Sequence, residues 1–81
     1  MKKEVEYSIR VIDARRMVPP EPFERVVEAL TTLARDERVK LVLGREPLPL
    51  YRFLEANGYQ YRVSHEAGGI REILIWEPGR K

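Results

Sequence analysis

The stretch VIDARRMVPPEPFERVVEAL, residues 11–30, passes from an apolar strand through two arginines and a proline pair into a helix. Apolar and polar residues alternate over Glu4–Ile12, which predicts a half-buried strand. Residues 17–20 form a connector, because a residue that precedes proline avoids helical geometry. Proline in the first turn and a single apolar stripe predict a helix that begins at Glu21 or Pro22 and ends near Arg35–Asp36.

The later elements follow from the same kinds of pattern. They are a short inner strand at Arg38–Leu43, a helix from near Pro49 to Asn57–Gly58, a strand over residues 59–64, a hairpin turn at Ala67–Gly69 and a strand at Ile70–Glu77. This order, β-α-β-α-β-β, predicts an α+β fold. We expect a two-layer α/β sandwich in which a four-stranded mixed sheet carries two helices on one face.

One face of such a sheet is at least partly open. Alternation places Ile73 and Ile75 on the opposite side of the last strand from Leu74 and Trp76. We expect at least one of these apolar pairs on the open side, and if that pair is Ile73 and Ile75, their side chains indicate a protein partner or self-association. The chain of residues 1–81 is predicted to be a single domain with an ordered core at about 4–77.

Composition excludes several classes of chemistry. The chain has no cysteine and one histidine, His65, so disulfides, thiolate metal sites, cysteine nucleophiles and a Ser-His-Asp triad are not expected. We predict no catalytic residue, no metal and no cofactor. His65 is expected to lie at the surface or to pack against the hairpin turn.

Charge and hydropathy limit the partners. The formal net charge is +2, from 15 basic and 13 acidic residues, which is far from the strong bias of a dedicated nucleic-acid binder. No apolar run approaches the length of about 18 residues that spans a bilayer, and the N-terminus resembles no secretion signal. We therefore predict a cytoplasmic protein without a membrane segment. The few thermolabile residues are consistent with a thermophilic source, and the arginine bias fits a GC-rich genome equally well.

Four charged residues are the candidate binding site. Asp13, Arg15 and Arg16 lie where the first strand turns into the helix, and Arg45 precedes the second helix start. In a sandwich whose helix starts share one end of the sheet, the arginines form a positive rim that holds an anion or a partner. The alternatives are that Asp13 simply pairs with Arg15 in the turn, which we favour, and that the arginines are unrelated and solvated.

Aromatic residues on the strands allow a further interpretation. Tyr7, Tyr59, Tyr61 and Trp76 could stack bases on an RNA-binding sheet. The near-neutral charge favours ordinary core and cross-strand packing instead.

The first helix start resembles the signature of TusA/SirA-like sulfur carriers, Asp-Ala-Arg-Gly-Leu, one residue, then Cys-Pro-x-Pro. Asp13, Ala14 and Arg15 match it, as do Pro20 and Pro22, whereas Pro19 stands where those proteins carry the sulfur-bearing Cys. The resemblance implies a TusA-like fold. Direct sulfur transfer should fail, since no thiol exists to carry sulfur.

A second resemblance is closer, to an uncharacterised bacterial domain family related to TusA. Its pattern of Pro-Pro-Glu at the first helix start and Asp-Pro-x-Pro-Leu before the second is similar to Pro19–Glu21 and Glu46–Leu50 here. Many members carry a His at two positions that are Phe23 and Arg45 in this chain. Any histidine-held metal or haem of those relatives is therefore not implied for this chain.

These observations predict a non-enzymatic interaction module with an unknown protein partner. It would bind through the arginine rim or the open sheet face, and a homodimer is one form of that partnership. A small-anion or small-ligand binder at the rim is the alternative, and an RNA-binding sheet is the weaker one.

Overall fold

The elements occur in the predicted order. The structure, a computed structural model, describes residues 7–78. Its helices and strands are β1 (Ser8–Asp13), α1 (Glu21–Thr31), β2 (Glu37–Leu43), α2 (Leu48–Ala56), β3 (Gln60–His65) and β4 (Arg71–Trp76). Of the predicted first strand, residues 4–6 lie outside the described residues, and Tyr7 precedes β1.

The four strands form one mixed sheet in the order β1-β2-β4-β3. β1 pairs with β2 in parallel, while β4 is antiparallel to both β2 and β3. The predicted parallel first pair and the predicted final hairpin are thus confirmed. Within the described residues β1 and β3 are the two edges of the sheet.

Both helices cover the same face of the sheet. The buried core draws on α1, α2, β2, β4 and the residue that follows β1, and its members are Ala14, Val26, Ala29, Leu30, Val39, Leu41, Leu43, Leu50, Leu54, Ile73 and Ile75. Their burial on every second residue of β2 and β4 identifies the side that faces the helices. The predicted α+β sandwich is therefore confirmed.

An apolar pair does lie on the open face, as expected, but the interpretation that placed Ile73 and Ile75 there is wrong. Both side chains are fully buried beneath the helices, and Leu74 and Trp76 occupy the open face instead. The reason lies in the register of the central strands. Ile73 is paired with Leu41 and Ile75 with Val39, so the isoleucines share the core side of β2.

Helix α1 ends at Thr31, earlier than the predicted end near Arg35–Asp36. The hydroxyl of Thr31 donates to the Glu28 carbonyl at 2.7 Å, and that of Thr32 donates to the Ala29 carbonyl at 3.2 Å. These bonds satisfy carbonyl groups that a continuing helix would use. The apolar stripe that suggested a longer helix continues to Leu33, which packs on the core from beyond the helix.

An arginine of β1 binds the C-terminal end of α1. Arg10 of β1 donates from Nε and Nη2 to the two carboxylate oxygens of Glu37, at 2.9 and 2.8 Å. Its Nη1 donates to the Thr32 hydroxyl at 3.0 Å and to the Ala29 carbonyl at 3.4 Å. Arg10 thereby places positive charge at the negative end of the helix dipole and ties β1, α1 and β2 together.

Candidate functional site

The starts of both helices border one cavity of about 360 Å³, which we call the helix-start cleft. Its walls come from the segments that lead into α1 and α2 and from the end of β2. They are Pro19, Pro20, Pro22, Phe23, Leu41, Leu43, Arg45, Glu46, Pro47, Pro49 and Leu50. Five of the chain's six prolines are in this set. Because the proline ring fixes φ, much of the wall has a restricted backbone.

A second cavity of about 220 Å³ adjoins the cleft and shares four of its residues. Arg15 and Arg45 both border it, beside Gly44. The structure therefore brings these two predicted site residues to one cavity. Arg16 is exposed and lines neither cavity.

The predicted pairing of Asp13 with Arg15 is present. Arg15 donates from Nε and Nη2 to the two Asp13 oxygens, at 2.8 and 2.7 Å, and its backbone N–H donates to the same carboxylate at 3.2 Å. The Arg15 side chain, followed by its backbone N–H, lowers the pKa of Asp13 to about 2. Asp13 is thus a fully ionised structural partner at neutral pH rather than a proton acceptor poised for catalysis.

The helix starts offer few backbone donors to an anion. Pro22 and Pro49 have no N–H group, and the N–H groups of Glu21 and Leu48 donate to the carbonyls of Val18 and Glu46. Glu21 and Glu24 add negative charge to the first turn of α1. An anion near this site would therefore depend on arginine side chains more than on the helix ends.

Arg45 is the exposed cation of the cleft that is available for such a role. Among residues 7–78, neither Arg45 nor Arg16 makes a side-chain hydrogen bond or ion pair. The nearby acid, Glu46, is already paired, because Arg71 Nε lies 2.7 Å from its Oε1. Burial, followed by the Glu46 carboxylate, raises the pKa of Tyr51 above its usual range.

The open face of the sheet carries a different set of features. Tyr7, Ile9 and Val11 are 47%, 47% and 58% exposed. Next to them, the guanidinium of Arg38 lies 3.6 Å from the ring centroid of Tyr7 and 4.6 Å from that of Trp76. Such cation–π contacts hold a charge in place on the surface.

The four strand aromatics divide between the two faces. Tyr59 and Tyr61 pack against the core, and Tyr61 stacks on Tyr51 of α2 at 4.8 Å. The ordinary packing interpretation is therefore confirmed for these two tyrosines. Trp76 and Tyr7, in contact with Arg38, are the aromatics of the open face.

His65 is exposed at the end of β3, and residues 7–78 contain no group of three His, Cys, Asp or Glu side chains that could hold a metal ion. Neither of the helices in this range is long and apolar enough to cross a membrane.

Sequence reasoning missed the proline-lined cleft and the Arg38 stack. The available signal for the cleft was the pair of proline clusters, Pro19–Pro22 and Pro47–Pro49, one at each helix start. For the Arg38 stack, the available signal was alternation, which places Arg38 on the polar side of its strand. Tyr7 and Trp76, on strands of the same predicted sheet, are the aromatic residues that it contacts.

Comparison with known proteins gives two matches. Residues 11–77 match the model of a family described as an uncharacterized conserved protein, DUF2249. A crystal structure of a SirA-like protein from Desulfitobacterium hafniense superposes with a TM-score of 0.73 at 28% sequence identity, covering 83% of this chain and 93% of that one. No curated protein sequence matches the chain.

Proposed function

The chain belongs to the DUF2249 family of uncharacterized conserved proteins and has a SirA-like fold, and we propose that it is a non-enzymatic protein-interaction module. The absence of cysteine from its sequence supports a role other than sulfur transfer, since a thiolate is the group that carries sulfur. The pairing of Asp13 with Arg15 supports a structural rather than catalytic role for the first turn.

One observation carries the proposal, the apolar patch on the open side of β1. We define the β1 patch as Tyr7, Ile9 and Val11, which are three of the five exposed large hydrophobic residues among those described. They are two residues apart and so point to the same side of the strand. Exposed apolar side chains in a row along an edge strand are typical of a binding surface, and here the guanidinium of Arg38 borders them over the Tyr7 ring.

The partner that this geometry fits best is a second copy of the chain. Among residues 7–78, β1 is an edge strand with one neighbour, β2, so within this range its outer backbone groups are available for pairing. The exposed Arg62 lies on β3 at the opposite edge, where it would not oppose its own copy. Lys40, the neighbour of Val11, has Glu72 at 3.6 Å, which offsets its charge.

Light scattering coupled to size-exclusion chromatography, over a range of protein concentrations, tests the proposal. We expect the mass to rise towards twice that of one chain as concentration increases. A mass equal to one chain at every concentration would contradict the proposal.

A second candidate function, small-ligand binding, is favoured by the cavity that Arg15 and Arg45 share. The RNA-binding alternative has less support, because Tyr59 and Tyr61 pack inward rather than onto the open face. Thermal-shift measurements with phosphate, nucleotides and carboxylates address the ligand hypothesis, since a ligand specific to the native state raises its melting temperature.

A further inference from the structure

We propose that the helix-start cleft binds a small monocarboxylate with an apolar body, such as an aryl-alkyl or branched-alkyl acid. The apolar body would occupy the cleft, and the carboxylate would bind the guanidinium of Arg45. This site lies among the helix starts and is independent of the β1 patch on the open face.

The cleft suits an apolar body of limited size. Its volume of about 360 Å³ is near the small end of the range of roughly 300–1,000 Å³ for small-molecule pockets. Its floor contains Leu41, Leu43 and Leu50, all of them buried core residues. Phe23 on the wall is held against Phe53 in an edge-to-face contact at 5.5 Å. Apart from Arg45 and Glu46, the walls are therefore apolar and held by packing before any ligand arrives.

Arg45 determines which polar group the ligand should carry. This side chain borders both the cleft and the adjoining cavity, and among the described residues it has no ion-pair partner. The planar guanidinium matches a carboxylate through two parallel N–H···O bonds. A ligand that filled the cleft with an apolar body would bring a terminal carboxylate to this rim.

The acidic side chains around the cleft are not paired with Arg45. Glu46 is engaged by Arg71 at 2.7 Å, and Asp13 is engaged by Arg15 at 2.7 Å. Glu21 and Glu24 line a different cavity on the other side of Pro19 and Pro20, to which Arg45 does not contribute. Within the described part of the chain, no acidic side chain is therefore paired with Arg45 at the cleft.

A single negative charge fits this rim better than a phosphate group. Arg15 already donates to both oxygens of Asp13, so among residues 7–78 Arg45 is the cation of the cavity without a partner. Pro22 and Pro49 remove N–H donors from the two helix starts, and phosphate sites at helix starts depend on such donors. One guanidinium with an apolar cleft beside it is complementary to an apolar monoacid.

NMR titration of the isotope-labelled full chain tests the proposal with three matched probes. These are phenylpropanoate, phenylpropanol, which has the same body without the charge, and inorganic phosphate, which has charge without the body. We expect phenylpropanoate to shift the amide signals of Phe23, Gly44 and Arg45 with saturation. Phenylpropanol and phosphate should each bind at least about tenfold more weakly, since each lacks one of the two interactions.

Two arginine variants locate the carboxylate. Arg45→Gln should weaken phenylpropanoate about tenfold and leave phenylpropanol unchanged. Arg62→Gln removes another exposed arginine, on β3, and should leave both affinities unchanged. Both residues are exposed, and the dispersion of the amide spectrum reports whether each variant is folded. The proposal is overturned if the alcohol binds as tightly as the acid, if Arg45→Gln binds the acid like the wild type, or if no probe produces saturable shifts at the cleft.

Discussion

Replacement of Val11 by lysine is the sharpest test of the β1 patch. Val11 is 58% exposed and lies on an edge strand, so a lysine there keeps its ammonium group in water and should leave the monomer folded. In a dimer formed through the patch, the same position would be covered by the second copy. The substitution therefore acts on association rather than on folding.

The size of the effect follows from the exposed fraction. Full burial of a valine side chain stabilises by about 1.5–3 kcal/mol, so covering the 58% that is exposed contributes about 0.9–1.7 kcal/mol for each copy. A two-fold interface contains the residue twice, which gives about 1.8–3.4 kcal/mol for the dimer. At 1.4 kcal/mol for each factor of ten, Val11→Lys should raise the dimer dissociation constant by roughly 20- to 270-fold.

Sedimentation equilibrium over a dilution series measures that constant directly. Val18→Lys is the matched control, because Val18 is an apolar residue that is 70% exposed but lies on the connector to α1. It adds the same charge and should leave the dissociation constant unchanged. Circular dichroism of both variants checks that the monomer fold is retained.

Three results would refute the reasoning. The first is a wild-type chain that stays monomeric up to about 1 mM, where an association free energy weaker than about 4 kcal/mol escapes detection. The second is a Val11→Lys variant that associates like the wild type. The third is an equal effect of Val18→Lys, which would assign the change to overall charge rather than to the patch.

Three further predictions concern stability and ionisation. Leu54→Ala removes a side chain that is fully buried in α2, so it should lower the free energy of unfolding by about 2–5 kcal/mol and the melting temperature by roughly 10–30 °C. Arg15→Gln should return the pKa of Asp13 from about 2 towards its ordinary value of 3.8, as measured by carboxyl NMR shifts. Arg10→Gln should lower the melting temperature and increase amide hydrogen exchange at the end of α1, because Arg10 holds Glu37 and the helix-end carbonyls.

The Asp13 prediction also fixes a direction for acid stability. A carboxyl group whose pKa is lower in the folded state stabilises it fully above the unfolded-state pKa. That contribution is lost as the pH falls from about 3.8 through about 2. Arg15→Gln should remove this part of the acid dependence, whereas Arg16→Gln, which only weakens a distant electrostatic contribution, should largely preserve it. Equal titration of Asp13 in the wild type and in Arg15→Gln would contradict the assigned cause.

Features encoded by near neighbours in the sequence were predictable. The strands and helices follow from alternation, apolar stripes and prolines, and the Asp13–Arg15 pair spans only two residues. The hairpin turn at Ala67–Gly69 was also predicted, and there Gly68 and Gly69 adopt φ of 74° and 79°. Such values favour glycine, which lacks a Cβ, so the residue type itself indicates the turn.

Features that depend on distant residues were not predictable. The end of α1 is stabilised partly by Arg10, which belongs to β1. The apolar stripe of α1 does not indicate that contact. Alternation showed that Ile73 and Leu74 lie on opposite faces but not which face is buried, because that depends on the register with β2. The helix-start cleft likewise exists only when residues 19–23 and 45–50 are packed side by side.

The stack of Tyr7, Arg38 and Trp76 gives the open face an optical reporter. Trp76 is the single tryptophan of the sequence, so the tryptophan fluorescence of the chain comes from this one side chain. Its ring lies 4.6 Å from the guanidinium carbon of Arg38 on the face that we assign to association. A partner that covers this face would change the polarity around the indole, so binding there can be followed by fluorescence of the natural chain. A ligand in the helix-start cleft lies among the helices and would leave that emission unchanged. Fluorescence therefore distinguishes binding at the open face from binding in the cleft.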